Sequence, residues 1–243
     1  MATRNAPPVG MVDGKKPAIR KMFNAIAPRY DLLNRVLSGG IDQRWRRRVI
    51  RMLLQDEPGH VLDVATGTAD LAIMAARKGV ESVVGVDISE DMLEVGRRKI
   101  TAAELDGRVV LQTADAEQLP FADNEFDAVT VSFGVRNFEN LDTGLSELFR
   151  VLRPGGRLLV LEFSRPKAFP IRQFYALYNR FILPAIGRML SGDSGAYTYL
   201  PESIAIFPEG AEFLGHMERA GFSNTSDKRL TFGISSLYAG TKL

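Results

Sequence analysis

The segment Val61-Leu62-Asp63-Val64-Ala65-Thr66-Gly67-Thr68-Ala69-Asp70 leaves an apolar strand-like run and opens a helix-like one. Gly67 lets a ligand approach the backbone closely at this turn, and the carboxyl end of a strand is the ligand crevice of an open α/β sheet. Asp87 closes the next apolar run, 20 residues after Gly67. A carboxylate there can accept from both hydroxyls of a ribose, although it also suits a helix cap before Ile88-Ser89. Ala114-Asp115-Ala116 follows the third run. Asp115 can accept from an adenine amino group and the Ala116 N–H can serve the ring, while Asp115 alone also suits a surface turn. Three such marks at the ends of three successive strands are more specific than any one. The loop has no lysine followed by serine or threonine, as a phosphate loop needs, and no three-glycine dinucleotide fingerprint. An NAD-dependent oxidoreductase is therefore the weakest reading.

Positioning these residues requires a sheet. Apolar runs at 60–65, 82–87, 109–114, 126–133 and 156–164 alternate with helix-like segments at 70–77, 89–103 and 143–152, the pattern of a parallel sheet covered on both faces. Ser89, followed by Glu90 and Asp91, suits an N-cap with acids in the first turn. Helices are expected at 17–26 and 43–54, and a long apolar-basic helix at 169–190, kinked by Pro184. A helix at 209–220 and strands at 222–232 and 235–241 complete seven strands. The expected organisation is a loose tail over 1–14 and one domain over 15–243. That domain divides into a helical lid (15–58), a ligand-binding core (60–164), a substrate- or membrane-facing insertion (165–208) and a closing helix and strands (209–243).

Composition narrows the classes. The 243 residues are 45% hydrophobic and 25% charged, as in one ordinary globular domain. No run of eighteen apolar residues indicates a transmembrane helix, and the N-terminus lacks the apolar core of a signal peptide. With no cysteine and only His60 and His216, thiolate chemistry is excluded and a metal site is not expected. A cytoplasmic protein is expected. The net charge of +2 conceals eleven basic residues between Lys15 and Arg51, against Asp31 and Asp42 alone. Such a segment suits nucleic acid, an anionic membrane or a solvated helix face. Nucleic acid is disfavoured, because no reading motif surrounds Trp45 and the middle of the chain is acidic.

Taken with Leu119 to Asp127 and Arg150 to Gly156, this layout resembles the class I methyltransferases. The resemblance implies S-adenosylmethionine as cofactor and a Rossmann-like α/β fold. It assigns Thr68 to the cofactor loop, Asp87 to the ribose and Asp115 to the adenine. Ser132 would lie beside the sulfonium or the methionine moiety. Asp63 would hold the methionine amino group or only brace the loop.

Four further segments narrow the resemblance: YDLLNRVLSGGIDQRW at 30–45, FGVRN at 133–137, RVLRPGGRLLVLEFS at 150–164 and YTYLPESIAIFP at 197–208. They are similar to the quinone-biosynthesis C-methyltransferases, which act on demethylmenaquinol or a 2-polyprenyl-6-methoxy-benzoquinol. Asp42 stands where that family often has histidine and Ala69 where many members have glycine; Gly-Thr-Ala-Asp is more like the menaquinone branch. The resemblance implies methylation of a prenylated quinol at a ring carbon, with both quinols open as substrate. A phenolate pushes charge into the ring, so a proton acceptor and a positive charge suffice. Arg136 and Asn137 suit these roles, with Tyr30, Asp31 and Asn34 in the lid. Tyr30 can equally cover the cofactor, and Arg136 can pair with a structural carboxylate. Phe169, Ile171, Phe174, Leu177, Tyr178, Phe181, Ile182 and Leu183 would line a channel for the tail, with Arg172, Arg180 and Arg188 towards anionic headgroups. Peripheral attachment to the inner membrane face and a homo-oligomer are further expectations. A methyltransferase for a soluble phenol would not need the 165–190 segment.

Overall fold

The computed structural model describes residues 14–182 and 195–243. Seven strands form one sheet: β1 (His60–Val64), β2 (Ser82–Asp87), β3 (Val109–Thr113), β4 (Phe126–Ser132), β5 (Leu152–Phe163), β6 (Ser223–Leu230) and β7 (Ser235–Thr241). Their order is β3-β2-β1-β4-β5-β7-β6. β1 to β5 run parallel, and β7 is antiparallel to both β5 and β6.

Residue alternation decides which side chain meets which helix layer. On β5, Leu159 and Leu161 enter the core under α3 (Ile41–Leu53), α4 (Asp70–Arg77) and α5 (Glu90–Ala102). Leu158 and Val160 enter the opposite core, against α6 (Leu141–Val151) and α9 (Ala211–Arg219). With both faces covered, the central strands read as continuous apolar runs. The order reverses between β1 and β4, so the crevice opens at their carboxyl ends. Ser89 caps α5, its Oγ accepting from Met92 N at 3.4 Å.

Three differences from the sequence expectations matter for the site. Tyr30–Ser38 forms a helix of its own, α2, between α1 (Lys15–Ile26) and α3. The described part of the expected long helix is short: α7 (Ile171–Leu177) passes into a π-helical turn at Tyr178–Ile182. Gly195–Ile206 forms α8 with Pro201 inside it, a residue that argues against a helix in sequence. Pro184, Leu183, Arg188 and residues 1–13 lie outside the described residues. Ile19 and Met22 of α1 pack on Tyr199 of α8, so α1, α2 and α8 roof the crevice.

Candidate active site

The loop after β1 is held in an unusual backbone. Ala65, Gly67 and Ala69 all have positive φ, of 52°, 57° and 63°. For the two alanines this conformation costs about 1–2 kcal/mol each, and at Ala69 it explains why glycine would fit there. Buried carboxylates fix the loop. Asp63 accepts from Thr66 Oγ1 and Thr130 Oγ1, each at 2.6 Å; Thr130 is its register partner on β4. Burial pushes the Asp63 carboxyl up to about 6. Asp87 accepts from Gly67 N at 2.8 Å and Ser89 N at 2.9 Å. Burial raises its pKa, and these N–H groups oppose the rise.

A narrow cleft of about 80 Å³ runs along the strand ends. Gly67, Asp87, Asp115, Ala116, Ser132 and Asn137 all line it. Asp63 and Thr68 lie behind the wall instead. Thr68 is 2% exposed; its hydroxyl donates to Asp31 and accepts from Lys99 Nζ at 3.2 Å. Asp31 also accepts from Lys99 Nζ at 2.7 Å, so it ties α2 to the loop and α5. Asp115 accepts from Lys16 Nζ at 2.7 Å, and Lys16 also meets Glu117 at 3.1 Å. Lys16 thus closes the Asp115 end of the cleft from α1. Its signal in sequence was only membership of the basic N-terminal cluster.

The residues fit the expected cofactor. Among the described residues the buried Ser132 Oγ has no hydrogen-bond partner, although it faces the cleft. A buried hydroxyl left so is costly unless a ligand completes it. Gly134 lets the β4 end approach the loop, for a Cβ there would clash with Ala65 Cβ.

Behind the cleft lies a second cavity of about 560 Å³. Phe23, Tyr30 and Phe133 line both spaces and form the partition between them. Phe133 has φ 60°, a strained conformation of the kind found at functional sites. The cavity wall is mainly apolar, running from Trp45 and Phe163 out to Phe174, Tyr178 and Phe232. Tyr178 hydroxyl donates to Leu37 O at 2.6 Å and joins α7 to α2 at this outer end. Phe174 and Phe232 are 68% and 76% exposed.

Polar groups enter at few points. Arg136 Nη1 donates to Glu162 Oε1 at 3.0 Å and to Phe133 O, and its Nε donates to Ser203 Oγ at 3.3 Å. Glu162 is fully buried; that burial raises its pKa against the pull of Arg136. Its signal in sequence was a lone acid in the apolar run LLVLEF. Asn137 Oδ1 accepts from Tyr199 hydroxyl at 2.9 Å, and burial pushes that hydroxyl up to about 12. Burial likewise raises Tyr30, against a hydrogen bond with Asn34. Both phenols are therefore neutral donors near neutral pH. Tyr30 stands in the partition itself, Arg136 and Asn34 line the cavity, and Asn137 lines the cleft.

Of the basic N-terminal residues, Lys15, Lys16 and Arg46 turn inward. Lys15 Nζ donates to Phe138 O at 2.7 Å, and Arg46 pairs with Asp42. Arg44 and Arg47 face solvent. Among the described residues no helix is long and apolar enough to cross a membrane.

Comparison with known proteins follows the same line. The model of the ubiE/COQ5 methyltransferase family matches residues 11–242. A Bacteroides fragilis protein named demethylmenaquinone methyltransferase is 47% identical over 232 residues, covering 95% of each chain. A Geobacter sulfurreducens protein named ubiquinone/menaquinone biosynthesis C-methyltransferase UbiE is 47% identical over 230 residues, 94% of this chain and 90% of its own. A solved S-adenosylmethionine-dependent methyltransferase from Thermotoga maritima superposes with a TM-score of 0.64 at 19% identity, covering 93% of this chain and 100% of that one. That likeness concerns the fold.

Proposed function

The chain belongs to the ubiE/COQ5 methyltransferase family, and we propose that it methylates the ring carbon of a demethylmenaquinol, giving menaquinol. It is an S-adenosylmethionine-dependent methyltransferase. The observation that carries the substrate reading is the large apolar cavity behind the cofactor cleft, parted from it by Phe23, Tyr30 and Phe133. A soluble phenol would not need a greasy space that continues to exposed aromatics.

Bound in the cleft, S-adenosylmethionine supplies an electrophilic methyl group. Asp87 accepts the ribose hydroxyls, Asp115 and the Ala116 N–H hold the adenine, and Ser132 Oγ meets the sulfonium end. Gly67 keeps the loop backbone close to the methionine moiety. Asp63 and Thr68 act through the loop, Asp63 by bracing Thr66 and Thr68 by anchoring the loop to Asp31 and Lys99. Phe133 and Tyr30 hold the quinol ring flat against the partition, which aligns the reacting carbon. Arg136 lends a fixed positive charge to the phenolate as its hydroxyl gives up a proton. Asn137, oriented by Tyr199, holds the oxygen in place, and water takes the hydroxyl proton. The carbon–carbon bond forms as the methyl–sulfur bond breaks, with S-adenosylhomocysteine as the leaving group. The methylated carbon then gives up its hydrogen to water and the oxygen regains a proton, which restores the quinol.

The prenyl tail leaves through the outer end of the cavity. Phe169, Phe174, Leu177 and Phe181 are 60–81% exposed there, with Arg172 and Arg180 among them. Apolar side chains ringed by cations suit the boundary of an anionic bilayer. The protein thus works peripherally at the inner face of the cytoplasmic membrane, where its substrate resides.

Methyl-labelled S-adenosylmethionine with reduced demethylmenaquinone tests the assignment. Label in the naphthoquinol is expected; cofactor binding without any transfer would overturn it.

A further inference from the structure

The cavity carries a second buried charge pair that the reaction above does not use. On α2 and α3, Asp42 accepts from Ser38 Oγ at 2.7 Å and from the Arg46 guanidinium one helical turn on. Asp42 and Arg46 both line the cavity. Their side chains are 6% and 7% exposed, close to the 0% and 7% of Glu162 and Arg136.

The two pairs share one aromatic floor. The Phe133 and Phe163 rings lie 4.5 Å apart, tilted by 30°. The Arg46 guanidinium is 5.5 Å from the centre of Phe133, and that of Arg136 is 5.5 Å from the centre of Phe163. An apolar cavity whose aromatic floor carries a guanidinium beside each ring suits a flat ring with two oxygen substituents.

Desolvating an ion pair is expensive, and a well-packed apolar pair would often be more stable. A function at the cavity surface accounts for a charge pair placed there. The Asp42 carboxylate can only accept hydrogen bonds. Its Oδ1 receives Ser38 and retains a lone pair for a donor in the cavity. A quinol presents an O–H to it; an oxidised quinone presents a carbonyl, which offers no proton and meets the carboxylate lone pair to lone pair.

We propose that Asp42, positioned by Arg46 and Ser38, accepts a hydrogen bond from the second ring hydroxyl of the quinol and thereby selects the reduced substrate over its oxidised form. This rests on the quinol reading of the cavity. The selection has a chemical use, because the oxidised ring has no electron-rich carbon to methylate and would only occupy the site.

The test measures KM for reduced short-tailed demethylnaphthoquinol and the inhibition constant of the oxidised quinone against it. Wild-type protein should bind the oxidised form about 10-fold or more weakly, since sites built to bond a hydroxyl reject analogues that lack it. In Asp42→Asn the amide can donate to a carbonyl. That variant should raise KM about 10-fold and tighten the oxidised quinone, collapsing the ratio with S-adenosylmethionine affinity unchanged. A ratio that stays at its wild-type value in Asp42→Asn would overturn the proposal. Equal affinity of the wild-type protein for both forms would do the same and requires no variant to fold. Asp42→Asn with Arg46→Gln removes both charges together and replaces the single variant if an unpaired Arg46 prevents folding. Absence of any wild-type turnover would instead remove the substrate reading.

Discussion

Arg136 and Glu162 are bonded to each other, Nη1 to Oε1 at 3.0 Å, with the glutamate wholly out of solvent. The pair lies on the cavity side of the Phe133 partition. A guanidinium does not deprotonate in proteins, so Arg136 contributes a permanent charge whose position Glu162 and Ser203 determine. That charge stabilises the phenolate and does not act as a base.

Arg136→Ala therefore lowers kcat about 100-fold, the usual effect of losing one preorganised charge at a reacting oxygen. Calorimetric affinity for S-adenosylmethionine stays at the wild-type level, because Arg136 does not line the cofactor cleft. A fall in cofactor affinity matching the fall in kcat would assign Arg136 to the cofactor.

Asp63 gives stability a pH dependence. Burial lifts its carboxyl from 3.8 to about 6 in the folded chain, so the fold favours the protonated form. Its contribution is complete below about pH 4 and disappears as pH rises through about 6, a change of about 3 kcal/mol at most. Chemical denaturation between pH 4 and 7 should show Asp63→Asn gaining on the wild-type protein as pH rises. Parallel stability curves would contradict this.

What the sequence made legible was local turn chemistry. Asp87, Asp115 and Gly67 could be placed along the cleft because each closes or follows a strand whose apolar run is plain in the residues. Lys16 could not be, because its partner Asp115 is 99 positions away and only the docking of α1 joins them. Glu162 was hidden for a related reason: a lone acid in a strand reveals its purpose only when Arg136 arrives from the loop after β4, the strand beside it. The helix at Gly195–Ile206 was obscured by Pro201 and supported by packing of Tyr199 on Ile19 and Met22, a case of tertiary contacts overriding local preference. Asp63 illustrates the intermediate case, since Thr66 is near in sequence but Thr130 is its neighbour only across the sheet.

Asp87→Asn weakens S-adenosylmethionine binding about 30-fold, as expected for losing charge-assisted bonds to the ribose. The amide also sets an NH₂ group against a backbone N–H of Gly67 or Ser89. Titration calorimetry reads the affinity, and thermal melting without cofactor separates it from damage to the loop. Affinity equal to the wild type would remove Asp87 from the ribose site.

The membrane reading concerns the outer end of the cavity. Phe174→Glu with Phe181→Glu places two charges on side chains that are 68% and 60% exposed. Each phenylalanine is worth about 1.5–3 kcal/mol when buried, so partitioning onto anionic liposomes should drop about 100-fold in a flotation assay. Turnover of a quinol with a truncated tail should change little. Flotation unaffected by the double variant would move the membrane contact elsewhere.

The most direct measurement offers the enzyme four acceptors in parallel with methyl-labelled S-adenosylmethionine: reduced and oxidised demethylmenaquinone, and the reduced and oxidised demethyl benzoquinone. Label is expected in the reduced naphthoquinol and in neither oxidised ring. Transfer to neither quinol, by protein that binds its cofactor tightly, would contradict it.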